Sequence, residues 1–295
     1  MRSAFDYHRP DSVTDAVRMK CELGDDSCFW AGGTDLVLQW KGELIKPLHC
    51  IDVTALNDLG SVDQDDENLV RIGSLCTLSA IERLDSRDPY LKTLADVARL
   101  MCTVQTRTIA TIGGNLCNAS PAGDLIPTLI AMGAYLNVVG EAGSRELPVE
   151  QLMCSPGKTS LQHSELVTEI CIPISSQARA CSYRRIDRTV VDIALVSAAG
   201  AITLDSNDMV DDVIIAMGAV APTVIRSAWA EAMLKGVALS AIDDDFMRRV
   251  GDAAAEDATP ITDVRASADY RSAMVKVLVR RVLEDISRSL SGDST

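Results

Sequence analysis

The sequence predicts an α+β fold in two domains. Three observations carry this reading. Helical and extended patterns are mixed irregularly over the first 175 residues. Three consecutive extended patterns then follow, and the last part is helical throughout. Finally, 295 residues exceed the usual size of one domain. A chain of this length buries roughly 75% of its unfolded surface, so it needs neither a disulfide nor a structural metal to fold.

The first element is "DSVTDAVRMKCEL". Ser12 caps it and Asp15 stands three residues on, a capping box, while Val13, Ala16, Val17 and Cys21 share one helical face. "CFWAGGTDLVLQWK" reads as a short strand, a glycine turn and a short helix or extended piece. "LHCIDV" is another strand, completing a small β-α-β-like unit that ends near Leu56. The acidic stretch "SVDQDDEN" reads as a turn. "LVRIGSL" is a strand and "TLSAIERL" a helix capped by Thr77. "DPYLKTLADVARLM" is a helix with Asp88 as cap and Pro89 in its first turn. "DLIPTLIAM" is helical despite Pro127, and "AYLNVVG" and "ELVTEICIP" are strands.

After Pro173 the polar stretch "SSQARA" suggests a domain boundary. "CSYRRIDR", "VVDIALVSAAGAITL" and "MVDDVIIAMGAV" read as three strands, although the Ala-rich middle one is compatible with a helix on propensity alone. "SAWAEAMLKG", "DDDFMRRVGDAAAEDA" and "ASADYRSAMVKVLVRRVLEDISRSL" are helices. No internal repeat or low-complexity tract is evident.

Composition excludes several function classes. A net charge of −14 argues against nucleic acid, whose phosphates demand clustered Lys and Arg. Aromatics make up only 4%, against large stacking platforms. No apolar run approaches the ~20 residues of a transmembrane helix. "MRSAFDYHRPDS" carries no apolar signal core, so cytoplasmic residence is expected. The nine cysteines are scattered singly, with no C-x-x-C pair and none beside a histidine at ligand spacing. Their odd number argues against a disulfide framework, and most are expected to be small buried hydrophobes. His8, His49 and His163 are isolated and give no metal or triad signal.

Two glycine motifs carry the chemistry: "AGGTDL" at 31–36 and "TIGGNLCNASPAGD" at 111–124. Paired glycines let backbone approach a ligand and permit positive φ, and their N–H groups can converge on an anion such as a phosphate or pyrophosphate. No G-x-x-x-x-G-K-[ST] and no G-x-G-x-x-G after a strand is present, which disfavours a P-loop and a Rossmann site. Alone, the first motif is compatible with a plain tight turn. The second concentrates amides, hydroxyls and a carboxylate around its glycines.

In this order and at this separation, the two motifs resemble those of the FAD-binding medium subunit of the xanthine dehydrogenase family. These are the molybdenum hydroxylases, which include carbon monoxide, nicotinate and quinoline dehydrogenases. "PGKTSLQHSELVTEICIP" resembles the segment closing the flavin domain, and "APTVIRSAWAE" and "ASADYRSAMVKVLVRR" resemble the family's C-terminal domain. The resemblance implies a FAD-binding domain of the vanillyl-alcohol oxidase and p-cresol methylhydroxylase type over 1–175, with subdomains 1–57 and 58–175. A C-terminal domain over 176–295 would hold a three-stranded sheet and a helix cluster.

It also implies a site. Both glycine loops would wrap the FAD pyrophosphate, Ala31, Gly32, Gly33, Thr34 and Asp35 forming the first and Thr111, Ile112, Gly113, Gly114 and Asn115 the second. Ser120 and Asp124 match positions that meet the ribityl and adenosine portions. Arg185, within "YRRIDR", stands where the family commonly has Lys; it keeps the charge and changes the geometry. Cys117 is expected to be a packing residue. No cysteine-rich insertion of the 4-hydroxybenzoyl-CoA reductase kind is visible. The partners implied are a small [2Fe-2S] subunit and a large molybdopterin subunit, in a dimer of heterotrimers, with an external electron acceptor. The alternatives are a free-standing FAD oxidase or reductase of the same fold, and a scaffold that has lost flavin.

Overall fold

The computed structural model describes residues 5–65, 69–84, 88–189 and 191–292. Residues 1–4 of the N-terminal segment, 66–68 of the acidic stretch, and Val190 at the start of the middle C-terminal strand pattern lie outside the described residues.

The first layer is a parallel sheet of β1 (Asp6–His8), β2 (Ser27–Trp30) and β3 (His49–Asp52), in the order β1-β3-β2. α1 (Val13–Leu23) crosses over between β1 and β2; its Ser12 Oγ accepts from Asp15 N–H at 3.1 Å, one half of a capping box, while Asp15 Oδ2 accepts from Asp11 N–H at 3.3 Å. Ala16 and Val17 bury against Ile51 and Val53. α2 (Leu36–Lys41) connects β2 to β3. His8 and His49, isolated in sequence, meet across β1 and β3 with ring nitrogens 3.2 Å apart.

The second layer is an antiparallel sheet of five strands. These are β4 (Val62–Asp65), β5 (Leu69–Gly73), β6 (Tyr135–Gly140), β7 (Gly143–Pro148) and, after the small hairpin of β8 (Met153–Ser155) and β9 (Lys158–Thr159), β10 (Leu166–Pro173). Their order is β4-β5-β10-β6-β7. Part of the acidic stretch expected to be a turn is therefore strand β4, which pairs with β5. Five helices accompany this sheet: α3 (Leu78–Ile81), α4 (Pro89–Leu100), α5 (Val104–Arg107), α6 (Ile112–Cys117) and α7 (Leu125–Ala131). Pro127 occupies the first turn of α7, where no intrahelical donor is lost.

The third sheet comprises β11 (Arg179–Ile186), β12 (Val196–Leu204), β13 (Val210–Gly218) and the two-residue β14 (Ile225–Arg226), in that order. It has four strands where three are expected, because β14 is too short to give a sequence pattern. The helices α8 (Ala228–Leu234), α9 (Asp244–Asp257) and α10 (Ala268–Leu290) cover one face. The other face packs on the core beneath α4 and α7.

This placement explains the Ala-rich strand. β12 is central and buried on both faces, Ala199 and Ala201 towards α4 and α7, Ala198 and Ile202 towards α10. Small side chains let a helix approach each face closely. At Gly200 a Cβ would come within 2.7 Å of Val282 Cγ1 and 3.0 Å of Ile215 Cδ1. Contacts that tie this sheet to the preceding elements include the following three. Thr93 Oγ1 donates to Cys181 O at 2.9 Å, and Ala219 N–H donates to Pro121 O at 2.7 Å. Asp88, which caps α4, also receives Arg179, whose guanidinium lies 4.1 Å over the Tyr90 ring.

Gly200→Ala is expected to cost about 1–3 kcal/mol by overpacking the seam between β12 and α10. The urea midpoint measures it; an unchanged midpoint would show that α10 does not seat on the strand as described.

Candidate functional site

β2 ends at Trp30 and the chain turns through residues 31–35 before α2 begins. Gly33 makes the turn at φ +68°, a region that L side chains rarely adopt, and a Cβ there would come within 3.0 Å of the Trp30 ring. Gly32 has a different reason to be glycine: a Cβ there would stand 1.8 Å from Ile109 O, inside the neighbouring backbone. Val37 and Gln39 N–H groups bond back to Gly33 O and Asp35 O. Among the described residues, the N–H groups of Gly32, Gly33, Thr34 and Asp35 meet no protein acceptor. These four residues line one cavity wall, and successive unengaged N–H groups are what a backbone nest for an anion is made of.

The second glycine pair is not in a loop. Ile112–Cys117 is helix α6, capped by Thr111, whose Oγ1 accepts from Gly114 N–H at 3.1 Å. Ile112 N–H donates to Cys76 O at 3.0 Å and Gly113 N–H to Ser74 O at 2.9 Å. The donors expected to converge on an anion are therefore already used within the protein. Gly113 is glycine because a Cβ would fall 2.7 Å from Ser74 O. At Gly114 a Cβ would touch only Thr111 Oγ1, at 2.8 Å, so its bare Cα leaves the helix surface open.

Between the two segments lies a cavity of about 470 Å³, within the roughly 300–1,000 Å³ typical of small-molecule sites. The 31–35 turn forms one wall; Thr111, Gly113, Gly114, Asn115, Cys117 and Asn118 form another. Gln39 Nε2 donates to Asn118 Oδ1 at 3.3 Å, linking α2 to the end of α6. Met101 and Cys102 close one side, and Leu161, Gln162, His163 and Glu165 through Val167 another. Glu165 is held in place by Arg145, through bonds of 2.6 and 2.8 Å. No Lys or Arg is among the described residues lining the cavity. Partial burial raises the carboxyl pKa of Asp35.

Ala31, Gly32, Gly33, Thr34, Asp35, Thr111, Gly113, Gly114 and Asn115, nine of the expected positions, all reach the cavity wall. Four do not. Ile112 is fully buried on the core side of α6. Ser120 turns back on its own loop, accepting Ala122 N–H at 3.4 Å. Asp124 and Arg185 face each other behind the wall, Nη1 to Oδ2 at 3.0 Å, and the Tyr183 hydroxyl donates to the other oxygen of Asp124. Nor does Asp124 cap α7, since its side chain takes no hydrogen bond from that helix.

Cys117, expected to be a packing residue, faces the cavity instead. Protein density around the thiol pushes its pKa up to about 11. Cys154 is exposed as well, so burial does not describe every cysteine. The wall residues Ser74, Met101 and Cys102 carry no sequence signature, whereas 161–167 lie within "PGKTSLQHSELVTEICIP", which resembles the segment closing the flavin domain.

Residues 3–175 match the FAD binding domain in molybdopterin dehydrogenase, and residues 181–286 match the CO dehydrogenase flavoprotein C-terminal domain. The chain belongs to this molybdopterin dehydrogenase flavoprotein family. The carbon monoxide dehydrogenase medium chain of Afipia carboxidovorans is 30% identical over 281 residues, covering 95% of this chain and 96% of the relative. The putative xanthine dehydrogenase FAD-binding subunit of Escherichia coli is 25% identical, covering 97% of each. A solved carbon monoxide dehydrogenase structure from Hydrogenophaga pseudoflava superposes with a TM-score of 0.92 at 29% identity, covering 98% of this chain and 99% of that one. The chain is thus a FAD-binding oxidoreductase subunit of the molybdenum hydroxylase family.

The cavity fits FAD on grounds of its own. The open donors of Gly32–Asp35 suit a pyrophosphate. Asn115 Oδ1, buried without a partner in the wall, is an acceptor awaiting a donor. Gly114 leaves room where a side chain would intrude.

The two kinds of glycine and the orphan amide make separable expectations. Gly113→Ala forces α6 away from Ser74 and lowers the stability of the apo-protein. Asn115→Leu removes an unpaired acceptor, leaves apo stability level or higher, and weakens FAD binding about 3–10-fold for one lost hydrogen bond. Thermal melts of both apo-proteins with FAD titrations check this; an Asn115→Leu protein that binds FAD as wild type would show that the amide faces no ligand group.

Proposed function

We propose that this chain is the electron-transferring flavin subunit of a multi-subunit molybdenum hydroxylase. Electrons would arrive from iron–sulfur clusters in a small [2Fe-2S] partner, which takes them from a large molybdopterin subunit, and would leave to an external acceptor. The observation that carries this is the cavity wall of four residues with unengaged backbone donors, in a chain whose residues 3–175 match a FAD-binding family. FAD supplies redox chemistry, accepting and releasing electrons singly or in pairs.

The protein's part is to bind, orient and enclose. Gly32, Gly33, Thr34 and Asp35 offer N–H groups to the pyrophosphate, with Ala31 beside them. Thr111, Gly114 and Asn115 present a hydroxyl, a bare backbone and an amide from α6. Gly113 keeps α6 close enough for this, and Ile112 anchors the helix in the core. Met101, Cys102 and the 161–167 segment shield the cofactor from water. We assign no flavin contact to Ser120, Asp124 or Arg185.

The proposal extends to organisation. A FAD-binding domain of the vanillyl-alcohol oxidase type would occupy 1–175, in subdomains 1–57 and 58–175, with the C-terminal domain over 176–295. The assembly would be a dimer of heterotrimers in the cytoplasm. Among the described residues no helix is long and apolar enough to cross a membrane.

FAD is expected to be bound non-covalently, one per chain, and acid precipitation should release it to the supernatant; flavin retained in the pellet would refute this. From its native source the chain should copurify with a small iron–sulfur and a large molybdenum subunit, and native mass spectrometry reads the assembly. A stable homomer that oxidises an organic substrate without partners would favour the free-standing oxidase.

A further inference from the structure

The wall residue Cys102 has φ +54°, the left-handed region that a non-glycine residue enters only at a cost. Such a conformation persists where its surroundings over-determine it. Here three successive carbonyls at the end of α4 are each gripped by a guanidinium. Arg107 Nη1 donates to Met101 O and to Cys102 O, both at 2.9 Å. Arg107 is itself fixed by Glu82, Nε to Oε2 at 2.6 Å. The third carbonyl, Leu100 O, receives Arg185 Nη2 at 3.0 Å.

Arg185 comes from β11, in the C-terminal domain. Its side chain is 5% exposed, and Asp124 and Asp187 hold it at 3.0 and 2.8 Å. Asp124 is in turn fixed by the Tyr183 hydroxyl. Burial works against the charge on Arg185, but Asp124 and its other neighbours outweigh it, and the guanidinium pKa lies above its ordinary value. Burial beside Asp124 raises the Tyr183 phenol well above its ordinary value, so it stays a donor.

We infer that Arg185 is a positioning residue through which the C-terminal domain holds Leu100 O, and with it the approach to the Met101–Cys102 wall of the flavin cavity, with Asp124 and Tyr183 aiming it. The inference rests on reading the cavity as the FAD site. It gives the C-terminal domain a role in the site without any contact to the cofactor. A planar fork is needed, since one group must reach both a carboxylate and a carbonyl; an ammonium on a flexible stem serves the two poorly.

The test uses the full chain, as wild type and as Arg185→Met, Arg185→Lys and Tyr183→Phe. Hydrogen exchange of the 99–103 amides is followed by mass spectrometry, with residues 111–118 of α6 as an internal control. FAD affinity is measured by titration, and the visible flavin spectrum is recorded. Losing a charge-assisted bond, Arg185→Met should speed exchange at 99–103 about 10-fold and weaken FAD about 10-fold, with the 111–118 exchange unchanged. Arg185→Lys should recover part of both losses, and Tyr183→Phe should cost about 3-fold. The flavin absorption bands should broaden in Arg185→Met as the wall loosens.

Unchanged exchange at 99–103 in Arg185→Met would overturn the inference. So would equal acceleration at 111–118, which would mark general loosening, or faster exchange with FAD affinity unaltered. A wild-type chain that takes up no FAD would instead sink the cofactor reading, while the exchange comparison still decides whether Arg185 holds the wall.

Discussion

The cavity depends on two backbone contacts that only glycine permits. The 31–35 turn rests on Ile109 O at Gly32, where a Cβ would lie 1.8 Å away. Helix α6 rests on Ser74 at Gly113, where the same atom would lie 2.7 Å away. The first contact sets the parallel sheet and its turn against the segment that leads into α6. The second seats α6 on the end of β5. With both made, two segments about 80 residues apart in sequence face each other across a space the size of a ligand. Either lost, the walls separate, and the free donors of the turn no longer oppose the polar face of the helix.

This divides labour between glycines that look alike in sequence. Gly33 serves conformation, Gly32 and Gly113 serve packing, and Gly114 leaves space for the ligand. On the proposed reading anion recognition falls to the first segment, because the N–H groups at the start of α6 are spent on Cys76 O, Ser74 O and Thr111 Oγ1. With no Lys or Arg among the described lining residues, oriented amides stand in for positive side chains. Fixed dipoles of this kind need no reorganisation and leave the low-polarity interior intact for a flavin.

What was legible in the sequence was local. The caps at Ser12, Thr77 and Asp88 satisfy donors two or three residues away, so a short window contains both partners. The turn at Gly33 is local in the same sense. The helical state of 112–117 was hidden, since two adjacent glycines are poor helix formers and tertiary bonds to Ser74 and Cys76 add to the Thr111 cap. The Ala-rich β12 was ambiguous because its small residues answer to helices packed on both faces. Asp124 reads as a ligand in sequence, but its partners lie 59 and 61 residues away on β11. The 161–167 wall lies in a segment whose resemblance was legible, but its place against the cavity is set by the sheet and by Arg145.

The central claim is that the turn amides, and not those of α6, hold the anionic part of FAD. Residue-resolved amide exchange on the apo-protein with and without saturating FAD measures this directly. The account predicts that the Gly32, Gly33, Thr34 and Asp35 amides exchange quickly in the apo-protein and slow markedly with FAD, while Gly113, already bonded to Ser74 O, is slow in both. Turn amides that exchange equally fast with FAD bound would contradict it.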